Sequence, residues 1–136
     1  MADNLFEKSF SIKNNTYLSS QFKPLWGQMG VFTSIPVIGK TPRFIGLNKY
    51  LNTFNKTCRY YEFSIKIDLN IIRRLVGRDL KKFNNFNHLL RIATNGTTLS
   101  ISFRKRIKTK NSVIGFIKKY KRRDFRNKNL FYKKLL

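Results

Sequence analysis

Hydrophobic and polar positions along this chain change period several times, and each change marks an element. The most orderly stretch runs from His88 to Arg104, where two alternating segments flank Asn95-Gly96. An Asn-Gly pair tolerates positive φ at both residues, as a two-residue type I′ hairpin turn requires. The pattern predicts a hairpin in which Thr94 faces Thr97, Ile92 faces Leu99, Leu90 faces Ile101 and His88 faces Phe103. One face of that ribbon carries Leu90, Ile92, Leu99, Ile101 and Phe103. The other, with Leu89, Arg91, Ala93, Thr98, Ser100, Ser102 and Arg104, is mostly polar.

The period is also two from Arg59 to Leu69. Tyr61, Phe63, Ile65, Ile67 and Leu69 alternate with Tyr60, Glu62, Ser64, Lys66 and Asp68, which predicts a strand. Helical spacing brackets this segment. Thr41-Pro42 offers a capping hydroxyl followed by a first-turn proline, and Phe44, Leu47, Leu51 and Phe54 follow at helical intervals. A second helix is predicted from about Leu69 to Phe83, capped by Asp68 or Asn70, with Ile71, Ile72, Leu75, Val76, Leu80 and Phe83 as its apolar stripe. A last helix is predicted to start at Asn111-Ser112, with Val113, Phe116, Ile117 and Tyr120 facing inward.

Residues 1–40 read as an extended arm. Pro24, Gly27, Gly30, Pro36 and Gly39 interrupt it too often for a regular helix, yet Phe22, Leu25, Trp26, Val31, Phe32 and Ile35 need burial. Such an arm packs either on a partner surface or back on its own domain. The expected organisation is therefore a hydrophobic and basic arm (1–40), an RNA-binding core (41–122) and a basic tail (123–136). The core's order of strand, helix, strand, strand, helix gives the α+β class: a small two-layer sandwich with helices covering one face of an antiparallel sheet.

Charge changes the picture most. The 136 residues hold 29 Lys and Arg against six Asp and Glu, a net charge of +23. Thirteen Phe and six Tyr in a chain that is 41% hydrophobic argue against wholesale disorder. An excess of this size repels itself in a compact domain, so an anionic partner is the simplest physical explanation. The excess is concentrated late in the chain: from Arg104 to Leu136 there are fourteen Lys and Arg and a single acid, Asp124.

Three clusters adjoin hydrophobic elements that would hold them in place. They are Arg73, Arg74, Arg78, Lys81 and Lys82; Arg104, Lys105, Arg106, Lys108 and Lys110; and Lys118, Lys119, Lys121, Arg122 and Arg123. Cations fixed along a surface suit phosphate oxygens. Tyr60, Tyr120, Phe125, Phe131 and Tyr132 lie among basic residues and could stack on unpaired bases, although for each alone packing within the protein is the simpler role.

Catalytic chemistry is poorly provided for. A structural zinc site wants four Cys or His ligands, and the chain has only Cys58 and His88. Nothing in their spacing makes them a nucleophile–base pair, and no third group to orient such a pair is apparent. The acids Asp3, Glu7, Glu62, Asp68, Asp79 and Asp124 are dispersed, whereas metal-dependent phosphoryl transfer needs clustered carboxylates. The glycines do not approach a phosphate-loop or dinucleotide spacing. The expectation is a non-catalytic chain with no cofactor, no metal and no small-molecule substrate. One cysteine excludes an internal disulfide. Sequons at Asn14, Asn55 and Asn95 read as chance matches in an Asn-rich chain. The longest apolar run, near Val31 to Ile38, is too short to cross a bilayer, so no membrane span is expected.

A small basic α+β core with an irregular hydrophobic arm and a basic tail resembles a ribosomal protein, in overall layout and across the whole chain. The Asn-, Lys-, Ile- and Phe-heavy composition, seen in Lys81-Lys82-Phe83-Asn84-Asn85-Phe86-Asn87, resembles coding by an AT-rich genome such as a mitochondrial one. The opening, with Asp3 and Glu7 and no Arg, is a poor presequence, as expected of a protein made inside the organelle. The resemblance implies a structural constituent of the ribosome, in the mitochondrial matrix or else in another AT-rich organelle or the cytoplasm. Its partners would be rRNA and neighbouring ribosomal proteins rather than copies of itself. Two other classes stay open: a non-catalytic subunit of another large organellar complex, such as a respiratory or ATP synthase assembly, and an RNA-processing enzyme or its accessory domain.

Overall fold

The computed structural model describes residues 4–25, 27–107, Gly115 and 133–135. Its elements in chain order are β1 (Asn4–Lys13), β2 (Thr16–Ser20), β3 (Gln28–Gly39), β4 (Arg43–Phe44), α1 (Leu47–Tyr60), α2 (Leu69–Leu80), β5 (Phe86–Thr94), β6 (Thr98–Lys105) and β7 (Lys133–Leu135). The strands form an antiparallel sheet in the order β2-β1-β6-β5-β3-β4, and β7 pairs with Gln28–Gly30 at the start of β3. This is the expected α+β class, with the sheet larger than anticipated.

The core lies between one face of the sheet and the two helices. Ile35 and Val37 of β3, Leu90 and Ile92 of β5, and Leu99, Ile101 and Phe103 of β6 are fully buried there. They meet Leu51, Phe54 and Cys58 of α1 and Ile72, Val76 and Leu80 of α2 in one cluster. Burying a side chain of this size stabilises by about 1.5–3 kcal/mol each, and that gain offsets the ordering of the backbone. The hairpin's apolar face is thus the one read from its alternation.

The segment expected to be an arm is instead part of the sheet. β1 pairs with β6, and β3 runs beside β5 from Val31 to Gly39. The glycines that rule out a helix here bound a strand: Gly27, just before β3, and Gly39, its last residue, take φ values of 74° and 98°. Pro36 is accommodated near the sheet margin, where β3 is flanked outside only by the two-residue β4. Folding the segment back buries Val31, Ile35 and Val37 without any partner.

The first helix begins at Leu47 rather than Thr41. Arg43 and Phe44 pair with Ile38 and Val37, the Ile45 amide donates to the Pro36 carbonyl at 2.9 Å, and Gly46 sits at φ 68°. The helix can start only after that left-handed residue.

It also runs on to Tyr60, through the start of the predicted strand at 59–69. There a Schellman motif closes it. The Phe63 amide donates to the Cys58 carbonyl at 2.8 Å and the Glu62 amide to Arg59 at 3.0 Å, with Glu62 at φ 61°. Residues 63–68 are extended but join no strand. Their alternation is real, since Ile65 and Ile67 are buried while Ser64 and Lys66 are exposed. The second helix is as expected, stopping at Leu80 rather than Phe83, with the Asp68 carboxylate accepting from the Ile71 amide at 2.9 Å.

The hairpin register is offset by two residues. Thr94 pairs with Leu99, Ile92 with Ile101 and Leu90 with Phe103. A two-residue shift leaves every side chain on its expected face. Only Gly96 adopts positive φ, at 99°. Asn95 instead accepts from the Thr97 and Thr98 amides at 3.1 and 2.9 Å, an Asx turn that holds a longer loop. Two positive-φ residues do occur together at Asn14 (47°) and Asn15 (60°), between the paired Lys13 and Thr16 of β1 and β2, as a type I′ turn requires.

On the sheet face away from the helices, Ser9 and Ser100 lie opposite each other with their hydroxyls 2.7 Å apart. The Lys23 amide donates to Ser9 Oγ at 2.8 Å, and the Lys23 carbonyl accepts from Ser100. This grip carries the 21–25 segment over the face and buries Leu25 against Ala93.

A candidate nucleic-acid interface

Helix α2 turns its apolar stripe inward, so Arg73, Arg74, Arg78 and Lys81 fall on the opposite side and are exposed. The turn after Gly39 brings Lys40 beside them. Together these five cations line a groove of about 500 Å³ between α2 and β4. Phe44, Leu80 and Phe83 supply its less exposed, apolar wall. Among the described residues, no carboxylate lines it. Five positive charges held near one another without acids favour an anion in the space between them.

Phe83 is fixed from behind. Its ring centroid lies 5.3 Å from Phe103, 5.7 Å from His88 and 6.3 Å from Phe86. Gly77 also lines the groove, in the middle of α2, where an added Cβ would meet nothing within 4 Å.

The fifth residue of the first cluster is placed differently. Lys82 lies 3.9 Å from Asp79, the carboxylate that Lys8 of β1 pairs with at 2.8 Å. Asp79 is buried, so these two cations serve to neutralise it, and Lys82 does not line the groove.

The second cluster is split by strand geometry. Arg104 and Lys105 are successive strand residues and so point to opposite faces of the sheet. Burial first, and the nearby Arg104 second, lower the Arg91 pKa. Arg91 in turn sits 5.2 Å over the ring of Phe32, forming a cationic and aromatic patch on the face away from the helices. Lys105 lies on the helix side beside His88. Arg106 is exposed, and its amide is tied to the Asn87 carbonyl at 3.0 Å. Lys108, Lys110, Lys118, Lys119, Lys121, Arg122 and Arg123 lie outside the described residues, as do Tyr120, Phe125, Phe131 and Tyr132.

The two residues weighed as catalytic are built into the core. Burial pushes the Cys58 thiol up to about 12, far from the thiolate a nucleophile needs. His88 stacks on Phe103 with centroids 4.6 Å apart, and its Nδ1 accepts from the Asn87 amide at 2.9 Å. Burial first, and Lys105 second, lower its pKa, so it is neutral at pH 7. The Asp68 carboxylate caps α2, while Glu62 takes the C′ position of α1 through its backbone. Among the described residues, no group of three or more His, Cys, Asp or Glu could hold a metal ion. Among them too, no helix is long and apolar enough to cross a membrane.

Of the groove's lining, sequence reasoning singles out Arg73, Arg74, Arg78 and Lys81 but not Lys40, Gly77 or the aromatic wall. Lys40 is a lone cation between Gly39 and Thr41-Pro42, and only the β3–β4 turn carries it to α2. The signal that could have found Gly77 was its position: a glycine inside a helical stripe with basic residues on both sides. No protein-family model matches this chain, and no curated protein matches it significantly in sequence.

Proposed function

We propose that this chain is a non-catalytic structural protein that binds rRNA, a constituent of a ribosome of the mitochondrial type. The observation that carries the reading is the groove lined by Lys40, Arg73, Arg74, Arg78 and Lys81, with no acid among the described residues that line it, in a chain of net charge +23. Phosphates are the anions that such spacing suits, since each guanidinium can hold two phosphate oxygens and a rigid helix fixes their separation. Affinity would come mainly from counterion release, and specificity from how the domain fits a folded RNA, with no base code. The basic residues of 104–123 would add phosphate contacts of their own, and the remaining surface would meet neighbouring proteins.

The test is co-sedimentation of the native protein with rRNA-containing particles from cells that make it, before and after RNase. The expected result is migration with the large particles that collapses to light fractions once the RNA is digested. Migration with a membrane complex that RNase leaves intact would replace this reading with that of a respiratory or ATP synthase subunit.

A further inference from the structure

Glycine in the middle of a helix is destabilising relative to alanine, and a packing contact usually explains it. Gly77 has no such contact: a Cβ built there would meet nothing within 4 Å. What its missing side chain does leave open is the groove. We propose that this groove receives a single unpaired nucleotide of RNA, its phosphates on the cations and its base against the apolar wall beside Gly77. The inference rests on the RNA-binding reading above and names the element of RNA that is bound.

Three observations support one nucleotide over a duplex backbone. First, a paired helix presents phosphates and sugars on its exterior, for which an apolar wall of Phe44, Leu80 and Phe83 is no use, whereas an unstacked base needs such a surface. Second, the recess of about 500 Å³ falls within the roughly 300–1,000 Å³ of ligand-sized sites, the scale of one nucleotide. Third, Phe83 is held by Phe103, His88 and Phe86, so the wall is formed before any ligand arrives.

The experiment uses the full chain and three RNA hairpins: fully paired, with one bulged 2-aminopurine, and with the same bulge abasic. Affinities are read by anisotropy, base environment by 2-aminopurine fluorescence. The bulged RNA should bind about tenfold or more tightly than the paired one, the abasic bulge should lose most of that gain, and the fluorescence should change on binding. In Gly77→Leu, which fills the recess, the ratio of bulged to paired affinity should fall towards one. The variant should melt no lower than wild type, because leucine is the better helix former.

Equal binding of wild type to bulged, abasic and paired RNA would overturn the nucleotide site while leaving phosphate binding intact. An undiminished preference in a folded Gly77→Leu protein would overturn it as well. Failure of all three RNAs to bind with salt-sensitive affinity would remove the RNA-binding reading itself.

Discussion

The side chain of Asn55 holds the backbone of Ile67 as a neighbouring strand would. Its Nδ2 donates to the Ile67 carbonyl and its Oδ1 accepts from the Ile67 amide, both at 2.8 Å. The 63–68 segment is extended and buries Ile65 and Ile67, but it joins no ladder. A side-chain amide on α1 therefore supplies what the missing strand does not, satisfying both polar groups of a residue that is 2% exposed.

Asn55→Ala should leave that amide and carbonyl without partners, at about 1–3 kcal/mol for each of the two groups left unsatisfied, so a loss of about 2–6 kcal/mol is expected. Asn55→Asp should be no milder at neutral pH, because it turns the donor into a second acceptor facing the Ile67 carbonyl. Urea unfolding of the three proteins measures this, and a loss under about 1 kcal/mol for both variants would mean that water replaces the pair.

Gly96 and Phe63 give a second, separable test. Gly96 sits at φ 99°, and a Cβ there would come within 2.9 Å of the Phe63 ring. Gly96→Val should cost more than about 2 kcal/mol, combining backbone strain of about 1–3 kcal/mol with that clash. In a Phe63→Leu background the clash is relieved and the strain stays. The penalty should then shrink without vanishing; an unchanged penalty would assign all of it to the backbone.

Asn55 and Gly96 also show how far the sequence is legible. Faces are readable throughout: Leu90, Ile92, Leu99, Ile101 and Phe103 are buried as their alternation implies, and so are Ile65 and Ile67. Alternation reports burial, however, and not hydrogen-bond partners. It cannot tell a strand from an extended link whose one ladder is Asn55. The α1 terminus is hidden because its C′ position is Glu62 at φ 61°, where a glycine would have signalled the stop. The hairpin turn departs from type I′ because Asn95 uses its side chain to accept amides instead of adopting positive φ itself.

Segment 1–40 is harder still. β1 and β3 are long-range partners of β6 and β5, and pairing across that many residues leaves no local signature; only the β1–β2 turn at Asn14-Asn15 is local. The α2 side of the groove is legible from helical spacing alone. Its other side, Lys40 and Phe44, lies in the short β3–β4 hairpin, which only tertiary packing sets beside α2, and is not.

His88, the only histidine in the chain, should make folding pH-dependent in a defined direction. Its pKa in the fold lies below the ordinary 6.5. Between the folded value and about 6.5, the unfolded chain binds more protons than the native one, so stability rises with pH across that interval. The contribution is fully present above about pH 6.5 and is lost as the pH falls below it. One proton limits the slope to about 1.4 kcal/mol per pH unit. Chemical denaturation from about pH 5 to 7.5 should show this slope in wild type and lose it in His88→Gln, whatever that variant's absolute stability. A slope that persists would place the titration elsewhere.

The groove cations should trade stability for binding. Arg73, Arg74 and Arg78 are exposed on one side of α2, and none pairs with Asp79, whose partners are Lys8 and Lys82. Replacing all three by Ala removes mutual repulsion and keeps good helix formers, so the triple variant should melt at or above the wild-type temperature. Binding to RNA should move the other way. Each phosphate that is no longer neutralised lowers the slope of log affinity against log salt by about 0.7–0.9, and three lower it by about 2 to 3. Lys82→Ala, which disturbs the Asp79 pair instead, should change that slope by less than about one and should cost stability. Titrations from about 50 to 200 mM salt with one RNA decide between the two patterns. If the triple variant keeps the wild-type slope, the groove is not where phosphates bind, and the outer basic residues alone hold the RNA backbone.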